Sequence, residues 1–227
     1  MTALRAADKR ILAEQGWLFL NDPAWAGDIN GVAELLGTPV SGPGTPVVQS
    51  LRPRTEAAAR PNTTSSLYGR GEFPLHTDMA HWPLPPRYLV MRASVVAGSV
   101  PTLLVDSRKL ELDATTRDEW ARALWRVSRV REPYLCSMFF QHGRKSGIRW
   151  DVCTMSPRGQ LALKVAAEAE ASLGSLLAQQ PITINWRSTD EILILDNWRV
   201  LHARPAVSPS ASDRTIQRVM VGASNYE

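Results

Sequence analysis

In Phe73-Pro74-Leu75-His76-Thr77-Asp78 a histidine and an aspartate stand two residues apart, and in Asp196-Asn197-Trp198-Arg199-Val200-Leu201-His202 a second histidine follows far downstream. Side chains alternate faces along an extended strand, so His76 and Asp78 point the same way and can grip one ion together. His202 makes the set two imidazoles and one carboxylate. Such a set holds Fe(II) on one face and leaves the opposite face open for a cosubstrate and oxygen. A lone His-x-Asp pair carries little weight, because a strand histidine beside a turn aspartate is common without any metal. The surrounding residues decide.

Arg214 and Arg218 follow His202 by twelve and sixteen residues, in Asp213-Arg214-Thr215-Ile216-Gln217-Arg218-Val219-Met220-Val221. Four is an even spacing, so on a strand both guanidinium groups face one side. Together with His76, Asp78, His202 and the Thr102 of Ala97-Gly98-Ser99-Val100-Pro101-Thr102-Leu103-Leu104-Val105-Asp106, this order and spacing resembles the taurine dioxygenase and clavaminate synthase-like family of Fe(II)/2-oxoglutarate oxygenases. The resemblance runs from about Gly16 to the C-terminus. It implies that His76, Asp78 and His202 hold Fe(II) at the catalytic centre, that Thr102 and Arg214 hold the far carboxylate of 2-oxoglutarate, and that Arg218 sits nearer the iron, where it meets cosubstrate or substrate. Many relatives carry a glycine pair closer to the threonine than Gly98 is here. An Asp at position 78, not Gly or Ala, argues against a halogenase, since those relatives lose the carboxylate to make room for chloride.

A length of 227 residues suits one domain spanning 1–227, and 44% hydrophobic with 21% charged residues fits a folded globular chain. No apolar run reaches the length of a membrane span, and the N-terminal Met1-Thr2-Ala3-Leu4-Arg5-Ala6-Ala7-Asp8-Lys9-Arg10 has no signal-peptide core. The expectation is a cytoplasmic enzyme, and a homo-oligomer is compatible with the sequence. Cys136 and Cys153 make no disulfide framework and read as small core residues. The net charge of +4 comes from scattered basic residues, which argues against a nucleic-acid partner.

Apolar periodicity predicts helices over 3–14, 28–36, 115–125 and 157–177, with Gly37 ending the second in a left-handed conformation and Ser156 capping the last ahead of Pro157. Strands are expected over 16–20, 47–51, 87–95, 102–105, 127–130, 134–141, 148–154, 182–186, 191–195, 200–203 and 215–222, with a hairpin turn over 142–147. Many short strands and few helices predict a mainly β fold with flanking helices, a double-stranded β-helix or jelly roll.

The polar, aperiodic segment 52–70 directly precedes the first candidate ligand, which makes Asn62, Ser65, Ser66 and Tyr68 candidates to line a substrate cavity, with His81 a further one from the turn after Asp78. Asp106 reads as structural. Two neutral imidazoles and one aspartate leave Fe(II) at +1, a 2-oxoglutarate dianion brings the site to −1, and Arg214 returns it to zero. Arg218 is then a surplus positive charge near the open position, which either meets an acidic group on the substrate or pairs with the C1 carboxylate of the cosubstrate or a protein acid such as Glu72 or Asp213. The reading is an oxygenase that hydroxylates a small polar metabolite, acidic or derived from an amino acid, using molecular oxygen and forming succinate and CO2. The alternatives are a desaturase or cyclase with the same ligands, or a non-catalytic jelly-roll protein that binds a metal and a ligand.

Overall fold

The computed structural model describes residues 4–21, 23–25, 27–59, 64–98, 100–128 and 130–223. Its centre is a pair of antiparallel sheets. The larger runs in the order Trp17–Asn21, Glu191–Asp196, Tyr88–Val95, Thr215–Val221 and Pro39–Val40, with Gln49–Leu51 also paired to Thr215–Val221. The smaller runs Ile182–Ile184, Thr102–Asp106, Val200–Arg204 and Phe73–His76.

Alternation explains how the larger sheet is covered on both sides. In Glu191–Asp196, Leu193 and Leu195 turn inward and pack with Leu89, Met91, Ile216 and Met220 against Leu104, Ile184 and Val200 of the smaller sheet. Ile192 and Ile194 turn outward with Val90, Val219 and Val221, and meet Leu12, Ile29, Val32 and Ala33 from the helices Ala6–Gln15 and Ile29–Glu34. A strand covered on both faces reads as an unbroken apolar run, as Ile192-Leu193-Ile194-Leu195 does. The outer face of the smaller sheet, with Leu75, Val105, Leu201 and Ala203, lies under Ala162, Val165, Ala169 and Leu173 of the helix Gly159–Gln179. A three-stranded sheet, Met155–Arg158, Leu124–Val127 and Tyr134–Ser137, and the hairpin Phe139–His142 with Lys145–Ile148 close the remaining side. Among the described residues no helix is long and apolar enough to cross a membrane.

The jelly roll expected from the sequence is present, with local differences. Ser156 and Pro157 do not start the long helix; they belong to Met155–Arg158, an edge strand in which Pro157 opposes Trp125. An edge position tolerates proline because its missing N–H can face away from the ladder. The run 134–141 divides at Met138 into strands of two different sheets. The helix expected over 115–125 is Ala114–Arg122, and the strand after it is Leu124–Val127. The strand expected over 148–154 is Lys145–Ile148. The left-handed helix cap is Gly16, at φ 81°; Gly37 takes φ 152° two residues past the Leu35 cap.

Candidate active site

The strand Phe73–His76 stops at His76, and Asp78 stands in the turn that follows. Three contacts hold that turn. Thr77 donates its amide to the Trp150 carbonyl at 2.8 Å and accepts the Trp150 amide at Oγ1 at 3.2 Å. Asn197, wholly buried, accepts the Asp78 amide at Oδ1 (3.0 Å) and donates from Nδ2 to the carbonyls of Asp78 (3.1 Å) and Pro86 (2.9 Å). Arg149 donates to the carbonyls of Ala80, Trp82 and Pro83.

His202 lies directly opposite His76 in the antiparallel ladder, with ring centroids 4.2 Å apart. One candidate ligand atom from each of His76, Asp78 and His202 falls within 4.8 Å of the others. The Pro74 carbonyl can only accept, so its 2.9 Å contact with His76 Nδ1 places the ring proton there and leaves the Nε2 lone pair facing inward. Asp78 Oδ1 sits 3.5 Å from His76 Nε2 and 3.9 Å from His202 Nε2, too far for close hydrogen bonds and suitably spread around one ion. Burial, aided by the neighbouring His76, drives His202 down to a pKa of about 3, so it is a neutral donor at physiological pH. Burial pushes the Asp78 carboxyl up, but the charge of Arg218, followed by the contact with His76, outweighs it and holds Asp78 ionised, below the usual carboxylate range. For His76 burial is also the largest influence and acts downward, while the nearby Asp78 carboxylate carries the net shift upward. Two imidazoles and an ionised carboxylate converging on one point fit a divalent transition metal.

These residues open onto a cavity of about 610 Å³. Arg214, Ile216 and Arg218 line it from the even-numbered side of Thr215–Val221, as their spacing requires. Arg214 is buried and donates to Thr102 Oγ1 at 3.4 Å, and among the described residues no carboxylate lies within ion-pair distance of it. Burial lowers its pKa to about 10, still protonated at neutral pH. Thr102 Oγ1 also accepts from Trp186 Nε1 at 3.0 Å. With two donors aimed at the oxygen, the threonine hydroxyl proton is free to point at a further acceptor. An unpaired buried guanidinium beside a hydroxyl donor is a carboxylate site.

Arg218 is not a spare charge: it pairs with a protein acid, with Asp78 and not with the Glu72 or Asp213 that the sequence suggested. Its Nη1 donates to Asp78 Oδ2 and its Nη2 to Gln49 Oε1, each at 2.5 Å. Of the candidate substrate residues, Ser65 and His81 line the cavity. Ser66 and Tyr68 do not; they lie on the helix Thr64–Tyr68, where neighbours point in different directions, and Gly69 reaches the cavity beside Ser65. The Tyr68 ring packs 5.8 Å from Phe73, and burial followed by the Cys153 contact raises its phenol to about 12. Asn62 lies outside the described residues. Sequence reasoning passed over Gln49, Asp151, Thr154 and Arg204, all on the cavity wall. Only Arg204 carried a signal, its place two residues after His202 on the same strand face.

A jelly roll with two histidines and one aspartate converging at the mouth of its interior has the build of a non-haem metal oxygenase. The family model for taurine catabolism dioxygenase TauD, TfdA family, matches residues 2–220, and the chain belongs to that family. Comparison with curated proteins gives no match. Among solved structures, the chain is similar to asparagine oxygenase in complex with Fe(II), 2S,3S-3-hydroxyasparagine and succinate, at 17% identity over 95% of this chain and 77% of that one, with a TM-score of 0.73. It is similar to the non-haem iron oxygenase OrfP in complex with Fe, succinate and (3S)-hydroxy-L-Arg, at 17% identity over 96% and 78% of the two chains, with a TM-score of 0.70. The PvcB protein from Pseudomonas aeruginosa follows at 20% identity over 95% and 78%, with a TM-score of 0.66. At these identities the likeness establishes the fold.

Proposed function

We propose that the chain is an Fe(II)/2-oxoglutarate-dependent oxygenase that hydroxylates a small polar metabolite, an amino acid or a close derivative, forming succinate and CO2. The observation that carries this reading is the pairing of a three-ligand site, His76, Asp78 and His202, with a buried, acid-free Arg214 beside Thr102 in one cavity. His76, Asp78 and His202 are the ligands for the metal. Fe(II) with its 2-oxoglutarate supplies the activation of molecular oxygen and the oxidising equivalent for the substrate C–H bond.

The chain's own residues do the rest. Arg214 and Thr102 would take the far carboxylate of the oxoacid and so fix its position in the cavity. Arg218 neutralises Asp78 and fixes which carboxylate oxygen faces the histidines. Asp78 and His202 are buried and His76 is half-buried, so these residues would keep bulk water from the metal they hold. The cavity wall offers both signs of charge, with Asp151 and with Arg52 and Arg54, which suits a zwitterionic or acidic substrate. Two structural relatives, solved with 3-hydroxyasparagine and with (3S)-hydroxy-L-Arg beside succinate, support an amino-acid substrate. We take residues 1–227 as a single catalytic domain. A cytoplasmic location accords with the two free cysteines.

The test is an anaerobic titration of metal-free protein with Fe(II) and 2-oxoglutarate, following the weak visible charge-transfer band of a chelated oxoacid, then a screen of amino acids for substrate-dependent succinate. A band that needs His76 and weakens without Arg214 is expected. A folded protein with no band would overturn the reading.

A further inference from the structure

The interior face of Val200–Arg204 presents Val200, His202 and Arg204, while Leu201 and Ala203 pack outward under the long helix. Arg204 therefore enters the cavity one pleat beyond the distal histidine, and it lines the wall there. In the ladder with Thr102–Asp106, Val200 opposes Asp106 and Ala203 opposes Leu103, so the same register carries Arg204 beside Thr102. Directly opposed side chains on one face of an antiparallel pair have Cβ atoms about 4.5–5.5 Å apart. Arg204 thus stands on the side of the cavity where Thr102 meets Arg214.

The Arg204 guanidinium has no acid within ion-pair distance among the described residues. Nη2 donates to the carbonyls of Gly71 (3.0 Å) and Gly69 (3.3 Å), its carbon lies 5.8 Å from the centre of the Phe73 ring, and Nη1 is buried without a hydrogen-bond partner. A half-buried guanidinium and a buried one that line the same cavity with no acid between them favour an anion that joins them.

We propose that Arg204 is a second cationic arm of the subsite for the distal carboxylate of 2-oxoglutarate, facing Arg214 and Thr102 across that carboxylate. This rests on the oxygenase reading above and assigns this chain's own residue to the cosubstrate. The ligand class is a 2-oxo dicarboxylate. A 2-oxoacid without the second acid has nothing to offer the two arginines.

The experiment measures anaerobic dissociation constants of the Fe(II)-loaded protein for 2-oxoglutarate and for 2-oxobutyrate, by the charge-transfer band and by calorimetry, in wild type, Arg204→Gln, Arg204→Met and Arg204→Lys. The readout is the ratio of the two constants. Losing a charge-assisted contact lowers the preference for 2-oxoglutarate about tenfold or more in the Gln and Met variants, and the Lys variant restores most of it. A role confined to holding Gly69 and Gly71 would weaken both oxoacids equally and leave the ratio unchanged, which overturns the proposal. The Met variant keeps an unbranched stem against Phe73, so the ratio is read in whichever uncharged variant folds. A wild-type protein that binds neither oxoacid would sink the oxygenase reading itself, whereas binding with an unchanged ratio sinks only the role of Arg204.

Discussion

Arg218 grips the second oxygen of Asp78: Nη1 meets Oδ2 at 2.5 Å, and Oδ1 is left to face His76 and His202. The residues stand 140 positions apart in the chain, and both are buried. The guanidinium fork spans Asp78 and Gln49 at once, which a lysine cannot do.

Arg218→Lys is therefore expected to weaken Fe(II) binding by roughly tenfold to 100-fold, the usual cost of losing a partner that orients a metal ligand. Arg218→Ala leaves a buried carboxylate with no cation and costs about 3–5 kcal/mol of stability in the metal-free protein. Competition with a chromophoric chelator and thermal unfolding check the two claims. Wild-type iron affinity in Arg218→Lys would show that Arg218 does not aim Asp78.

Asn197 places Asp78 through its backbone, accepting from its amide and donating to its carbonyl. Asn197→Asp keeps the shape but loses both Nδ2 donations and adds a negative charge beside Asp78. Its iron affinity is expected to fall by at least tenfold, more than in Asn197→Ala. The oxoacid charge-transfer band should also shift in energy, because Asp78 no longer meets the metal at the same angle. An unshifted band with only a lowered melting temperature would reduce Asn197 to a structural residue.

Thr102→Val removes the hydroxyl that Trp186 and Arg214 orient, and Trp186→Phe removes only one of the orienting donors. The first is expected to raise the 2-oxoglutarate dissociation constant about tenfold and the second by a few-fold, with iron affinity unchanged in both. Titration of the charge-transfer band separates them. Equal effects would mean that Trp186 acts by packing alone.

The pattern of the site was legible wherever spacing along one strand decides which way a side chain points. His76, His202, Arg214 and Arg218 all face the cavity, and simple alternation is enough to see why. The same rule held for Arg204, which went unread because no motif drew attention to it. Contacts made between segments stayed hidden: the Arg218 pairing with Asp78, the Asn197 clamp, and the arrival of Gln49 and Asp151 at the wall depend on how strands stack. The Ser156-Pro157 pair misled because serine before proline is a helix-start signal, and only the neighbouring strand Leu124–Val127 shows it to be a sheet edge.

Asp106 reads in the sequence as structural, and its partner shows why. Arg199 donates from Nη2 to Asp106 Oδ2 (2.5 Å), from Nε to Oδ1 (2.9 Å) and from Nη1 to the Ala13 carbonyl (3.1 Å), with both side chains 9% exposed. The pair joins the strand carrying Thr102 to the turn leading into His202 and ties both to the first helix. Removing one member strands a buried charge, so Asp106→Ala is expected to cost about 3–5 kcal/mol, and Arg199→Met a similar amount. The double variant Asp106→Leu with Arg199→Met removes both charges and should recover most of that loss, because the desolvation penalty disappears with the attraction. Denaturant unfolding of the four proteins measures the coupling. If the double variant is as unstable as the sum of the singles, the pair is not the unit that holds these strands, and the separate bond to Ala13 carries the effect.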